Sequence, residues 1–120
     1  LGLAWSHALA RRGLDVVMIA ESATPLHEVA AEVARRHAVA TTPLVVDLAQ
    51  ADAAETIVMA TQAHDVGIVV YNAAVSPIGR FTATPTAALR ATVDVNCHGP
   101  VQLCAAFAPR LVHRGRGALV

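Results

Sequence analysis

Short, apolar, largely β-branched runs alternate with amphipathic stretches along this chain, and that alternation constrains the fold more than any other feature. Val16-Val17-Met18-Ile19-Ala20, Leu44-Val45-Val46 and Val66 to Tyr71 are too short for helices and too continuous for half-exposed strands. They read as strands covered on both faces, the pattern of a parallel sheet. The segments between them have helical spacing. From Leu3 to Arg12, Trp5, Ala8 and Leu9 oppose Ser6, His7, Arg11 and Arg12, and Gly13 is placed for a left-handed C-terminus. Thr24 then Pro25 gives a cap and a first-turn proline, and Leu26, Val29, Ala30, Val33 and Ala34 form one buried stripe to about His37. Asp52-x-x-Glu55 resembles a capping box ahead of a helix carrying Ile57 and Ala60. Ser76-Pro77-Ile78-Gly79 reads as a loop. Thr84-Pro85 repeats the cap-then-proline start, and the helical stretch that follows runs to about Arg114 with a bend or break near Gly99-Pro100. Gly115 and Gly117 precede a last strand that begins at Ala118-Leu119-Val120.

This order predicts an α/β fold with a doubly wound parallel sheet built from right-handed crossover units. With 120 residues and no repeat or linker, one domain at most is expected. The 55% hydrophobic content supplies a core and excludes a disordered chain. Nine Lys+Arg balance nine Asp+Glu, and the arginines are scattered, so no basic stripe points to nucleic acid. The apolar runs fall far short of the roughly 18 residues that span a bilayer, so no membrane association is expected. Cys97 and Cys104, seven apart on a predicted helix, are too distant to bridge and read as two buried thiols, which fits a reducing cytoplasmic compartment. The six histidines show no metal-ligand spacing, so no metal site is expected. No signal segment precedes the first helix, and Leu1 in place of Met suggests a piece of a longer chain.

Ligands of such sheets bind beyond the C-terminal ends of the strands. The candidates there are Ala20-Glu21-Ser22, Asp47-Leu48 and Tyr71-Asn72-Ala73-Ala74. Gly2, in the first turn of a helix, would let an anion approach backbone N–H groups and the positive end of the helix dipole. Asp47 can accept from an amino group on a flat ring that the Leu48 backbone lines. At Asn72-Ala73-Ala74 small side chains admit a planar ligand while the amide fixes the loop, although a plain Asx turn explains Asn72 as well. Asn96 is a poor helix former inside a helix. Buried there, its amide needs a partner and can organise a water or a backbone bend; otherwise it is an exposed helix residue.

In this order and spacing the motifs resemble the first half of a short-chain dehydrogenase/reductase. Leu1-Gly2 looks like the end of the family's Thr-Gly-x-x-x-Gly-x-Gly phosphate loop, and Ala10-Arg11-Arg12-Gly13 has its usual helix ending. Asp47-Leu48 matches its adenine-contacting pair, and Tyr71-Asn72-Ala73-Ala74 resembles Asn-Asn-Ala-Gly with Tyr71 and Ala74 substituted. Asn96 is similar to the asparagine of the catalytic helix, which supports a water in a proton relay. Arg114 to Val120 resembles the lead-in to the strand that ends at the catalytic serine.

The resemblance implies a Rossmann-type sheet, incomplete because its first strand and C-terminal half lie outside these 120 residues, which form part of a dinucleotide-binding domain. The strands at Val16 and Val66 would then each keep an unpaired edge, and the isolated segment is expected to be marginal or unfolded. An NAD(P)-dependent oxidoreductase is implied, acting on a small carbonyl or alcohol and assembling as a homo-oligomer. The family's serine and Tyr-x-x-x-Lys pair would follow Val120, and no lysine occurs in the sequence, so the segment alone is expected to be inactive. Glu21 after the first strand can accept from a ribose 2′-OH and would repel a 2′-phosphate, which favours NAD over NADP. Arg80 and Phe81 fall in the loop bordering the family's active-site mouth. The rival readings are a non-catalytic nucleotide-binding or interaction module of the same descent and, more remotely, an S-adenosylmethionine-binding methyltransferase.

Overall fold

The structure is a computed structural model describing residues 1–120. Two units divide the chain, Leu1–Asp47 and Leu48–Val120.

In the first unit the order is α1 (Gly2–Ala10), β1 (Val16–Ala20), α2 (Ala23–His37) and β2 (Thr41–Val45). Strands β1 and β2 are parallel, with Val16 opposite Thr41 and Ala20 opposite Val45. Gly13, at φ 77°, makes the turn out of α1 at no steric cost. The Asp15 carboxylate accepts from the Ala40 N–H at 2.8 Å, which ties the starts of the two strands together. Ala10, Val16, Met18, Leu26, Ala30 and Val33 form the core. The stripe predicted for α2 thus packs as expected at Leu26, Ala30 and Val33. In α1 the buried residue is Ala10, while Trp5 stays exposed.

Two boundaries differ from expectation. β2 begins at Thr41, before Leu44, and contains Pro43, which breaks the strand pattern in the sequence but is tolerated because β2 has only one strand neighbour. Helix α2 starts at Ala23 with Ser22 at its N-cap, so Thr24 and Pro25 lie within the first turn.

His7 and His37 meet between α1 and α2, with Nδ1 and Nε2 2.9 Å apart and the rings edge to face. One ring must donate and the other accept, so the bond is lost when both are protonated. Desolvation, followed by the charges of His7, Arg36 and Arg11, holds the His37 pKa below the usual 6.5. The unfolded chain therefore binds a proton more readily than the folded one. Its contribution to stability is complete above pH about 6.5 and is lost as pH falls toward the lower folded value. Urea midpoints should thus fall between about pH 7.5 and 5.5, with a shallower fall in His37→Gln. An identical pH slope in that variant would count against the pair.

The second unit comprises α3 (Ala53–Ala60), β3 (Ile68–Val69), α4 (Thr86–Val93), α5 (Gly99–Arg114) and β4 (Ala118–Leu119). Asp52 stands at the N-cap of α3, but no side-chain capping bond forms, so the capping box is not realised. Helix α4 begins at Thr86, and the Thr84 hydroxyl donates back to the Arg80 carbonyl instead of capping it. Strand β3 is shorter than the Val66–Tyr71 run, though Tyr71 N–H to Val120 carbonyl (2.8 Å) and Val120 N–H to Val69 carbonyl (2.9 Å) extend the parallel pairing with β4. Gly117 lies at φ 148°, and a Cβ there would collide with the Gly67 carbonyl and the Leu111 side chain, so this close crossing requires glycine.

Helix α5 packs on α3 and buries Leu103, Phe107 and Leu111. The Arg110 guanidinium reaches the Thr61 carbonyl beyond the end of α3, and Arg114 grips Asp65 through two bonds of 2.8 and 2.7 Å. That grip holds the Asp65 carboxyl below its usual range. Buried positions recur every fourth residue, at Val95, Gly99, Leu103, Phe107 and Leu111. The bend foreseen near Gly99-Pro100 is a π-helical turn, Asp94–His98. Cys97 and Cys104 are both exposed, which corrects their reading as buried thiols, because the inward row from the turn through α5 is Val95, Gly99, Leu103, Phe107 and Leu111.

The sheets are two separate parallel pairs, β1–β2 and β3–β4, so β1 and β3 each have a single strand neighbour. No helix is long and apolar enough to cross a membrane.

Candidate functional site

Three candidate residues belong to the first unit. Gly2 is the first residue of α1, and its carbonyl accepts from the Ser6 hydroxyl at 3.2 Å. Glu21 directly follows β1 and is exposed. Asp47 lies two residues beyond β2 and is half-buried. Because β1 and β2 are parallel and in register from Val16 to Ala20, Glu21 and Asp47 follow the same, C-terminal edge of the pair.

Leu48, Asn72, Ala73, Ala74 and Asn96 belong to the second unit. Leu48 is half-buried, whereas Asn72, Ala73 and Ala74 are exposed as the chain leaves β3. Nothing larger than a methyl group stands at 73 and 74, so a flat ligand can approach the backbone. Asn96 lies in the π-helical turn and grips the residue just after this loop: its Nδ2 donates to the Val75 carbonyl at 2.7 Å, and its Oδ1 accepts from the Val75 N–H at 2.9 Å. This is the pairing one strand offers another, supplied by a side chain. Asn96 is exposed, not buried, yet both faces of its amide are used. The loop is therefore fixed from the helix by Asn96 and not by the amide of Asn72.

Sequence reasoning missed a second tie. The Tyr71 hydroxyl donates to the Val95 carbonyl, and its ring lies so close to Gly99 that a Cβ there would overlap the hydroxyl. Desolvation pushes the Tyr71 pKa above 10.0, so the phenol remains a donor. The available signal was the pairing of a large residue at 71 with glycine at 99. His98 bonds Asp94 at 2.9 Å on the exposed side of the turn, apart from this arrangement.

A doubly wound α/β chain with small residues after a strand and a helix asparagine holding the loop matches known proteins over its whole length. The model of the short-chain dehydrogenase family covers residues 1–120, and the chain belongs to that family. It is 38% identical over 112 residues to the Mycobacterium tuberculosis protein named "Probable oxidoreductase EphD", covering 92% of this chain and 19% of that protein. Among solved structures, a 7β-hydroxysteroid dehydrogenase superposes with a TM-score of 0.91 at 28% identity, over 97% of this chain and 45% of that one. A short-chain dehydrogenase from Sphingobium yanoikuyae, in complex with NADPH, gives a TM-score of 0.86 at 28% identity, over 98% and 48% of the two chains. The chain thus spans less than half the length of each of these relatives.

Proposed function

We propose that the protein carrying this chain is an oxidoreductase that transfers hydride between a nicotinamide dinucleotide and a carbonyl or alcohol on a small molecule. The observation that carries the reading is the Asn96 amide holding Val75 immediately behind Asn72-Ala73-Ala74. Residues 1–120 act as the cofactor-binding part of the domain. Gly2 opens the helix that receives the pyrophosphate, Glu21 meets the adenosine ribose, Asp47 accepts from the adenine amino group and Leu48 lines that ring. Asn72, Ala73 and Ala74 lie along the remainder of the dinucleotide, whose nicotinamide supplies the hydride. The exposed backbone over two alanines suits such a planar group. Asn96 is the member of the catalytic set present here, and it holds a water in the proton path. Pro100 has no N–H to give the Asn96 carbonyl, its partner four residues earlier in a regular helix, which suits that carbonyl to a water. The protein is further read as a cytoplasmic homo-oligomer that binds neither nucleic acid nor membrane.

The relative bound to NADPH lends no support to a preference for NAD at Glu21, so both cofactors enter the test. In the full-length protein, NADPH or NADH fluorescence should rise on binding, and a carbonyl substrate should then be reduced. Binding without turnover, in a reading frame lacking the serine and Tyr-x-x-x-Lys, would replace the enzyme with a nucleotide-binding module. Binding of neither cofactor would overturn the reading.

A further inference from the structure

The π-helical turn deprives the Val95 carbonyl of the donor a regular helix would give it. The Gly99 N–H goes to Asp94, five residues back, so it is not spent on Val95 as a regular helix would require. The next residue along, Pro100, has no N–H. Val95 is buried, where an unpaired carbonyl is costly, and the Tyr71 hydroxyl supplies the missing donor. Only glycine at 99 leaves room for that hydroxyl. A shorter side chain at 71 would end before reaching the carbonyl.

Residues 71 and 75 bracket Asn72-Ala73-Ala74, and both are tied to adjacent residues of one turn: Tyr71 to Val95, and Val75 to Asn96. The loop is a three-residue bridge slung between two clamps on that turn. We propose that Tyr71 is a positioning residue of the site, its hydroxyl acting with the Asn96 amide so that the loop and Asn96 hold one fixed relation. This rests on the functional reading above and extends it, since cofactor contact at 72–74 and proton handling at 96 become coupled through the tyrosine.

Tyr71→Phe in the full-length protein keeps the ring and removes the clamp. Hydrogen exchange at the Asn96 side-chain amide, followed by NMR with asparagine-selective labelling, should speed up by about tenfold, the measure of one hydrogen bond. NADPH affinity should fall severalfold in parallel. A tyrosine that only packs would lower the melting temperature and leave Asn96 exchange unchanged, and that result overturns the proposal. Where Tyr71→Phe fails to fold, a fluorinated tyrosine at 71 preserves the packing and strengthens the donor. Slower Asn96 exchange is then expected, and unchanged exchange again overturns the clamp. Should the wild-type protein bind neither NADPH nor NADH, the functional reading fails, while Asn96 exchange still decides the role of Tyr71.

Discussion

With the proposed hydride transfer as the readout, Asn96→Ala is expected to lower turnover of the full-length protein by about a hundredfold, the scale of losing a group that organises proton transfer. The substitution removes both bonds to the Val75 backbone, so the loop and the proton path are disturbed together. Stability should change much less. The side chain is exposed, and water can replace its bonds, leaving a cost of about 1–2 kcal/mol. Asn96→Asp sharpens the test, because it keeps the acceptor for the Val75 N–H but sets an oxygen against the Val75 carbonyl where a donor is needed. Both variants should therefore melt near the wild-type temperature while losing activity, Asp as well as Ala. Turnover of Asn96→Ala within twofold of wild type would remove Asn96 from the catalytic set.

Phe107→Ala is expected to cost about 3–5 kcal/mol, the usual price of emptying a phenylalanine site in a core. Phe107 is 2% exposed between Leu103 and Leu111 on α5, and the Arg110 guanidinium lies 5.2 Å from its ring centre. Against a total stability of about 5–15 kcal/mol, such a loss brings a small domain close to unfolding. Phe81, 74% exposed, provides the control: Phe81→Ala should stay within about 0.5 kcal/mol. Urea denaturation followed by circular dichroism checks both. Equal midpoints for the two variants would show that the α5 face is not the core of its unit.

The elements most legible in the sequence were those whose signal is local. Val16–Ala20 is a strand with the expected limits because nothing interrupts its apolar run, and the stripe of α2 is buried where its spacing places it. Caps were less legible. Asp52 and Thr84 have the right chemistry, yet their side chains do not bond the helix ends: Asp52, at φ −95° and ψ 5°, lacks the extended backbone of a capping residue, and Thr84 stands one residue before the N-cap position, which Pro85 occupies. Pro43 masked the first half of β2 because proline marks a strand break unless one edge is free. At the site, Asn96 was recognisable as an amide needing a partner. The identity of that partner, 21 residues away at Val75, depends on how the chain returns on itself. The Tyr71–Val95 and His7–His37 contacts span 24 and 30 residues and leave no periodic trace. Cys97 and Cys104 show the converse error: residue type suggested burial, but the inward row of the turn and helix belongs to other residues.

The wide turn at Asp94–His98 also sets the angular phase of everything after it. In a regular helix, residues spaced by four advance about 40° per step, so a row from 95 to 111 would wind about 160° around the axis. Val95 and Leu111 would then look in nearly opposite directions, yet both are buried. One turn with an extra residue unwinds roughly 90° of that drift and brings the row back toward a single line. Excising one residue from the turn would let it close as a regular helix: about 100° is lost with the residue and about 90° regained as the turn rewinds, so the downstream helix would be shortened but keep its heading, with Phe107 still facing inward.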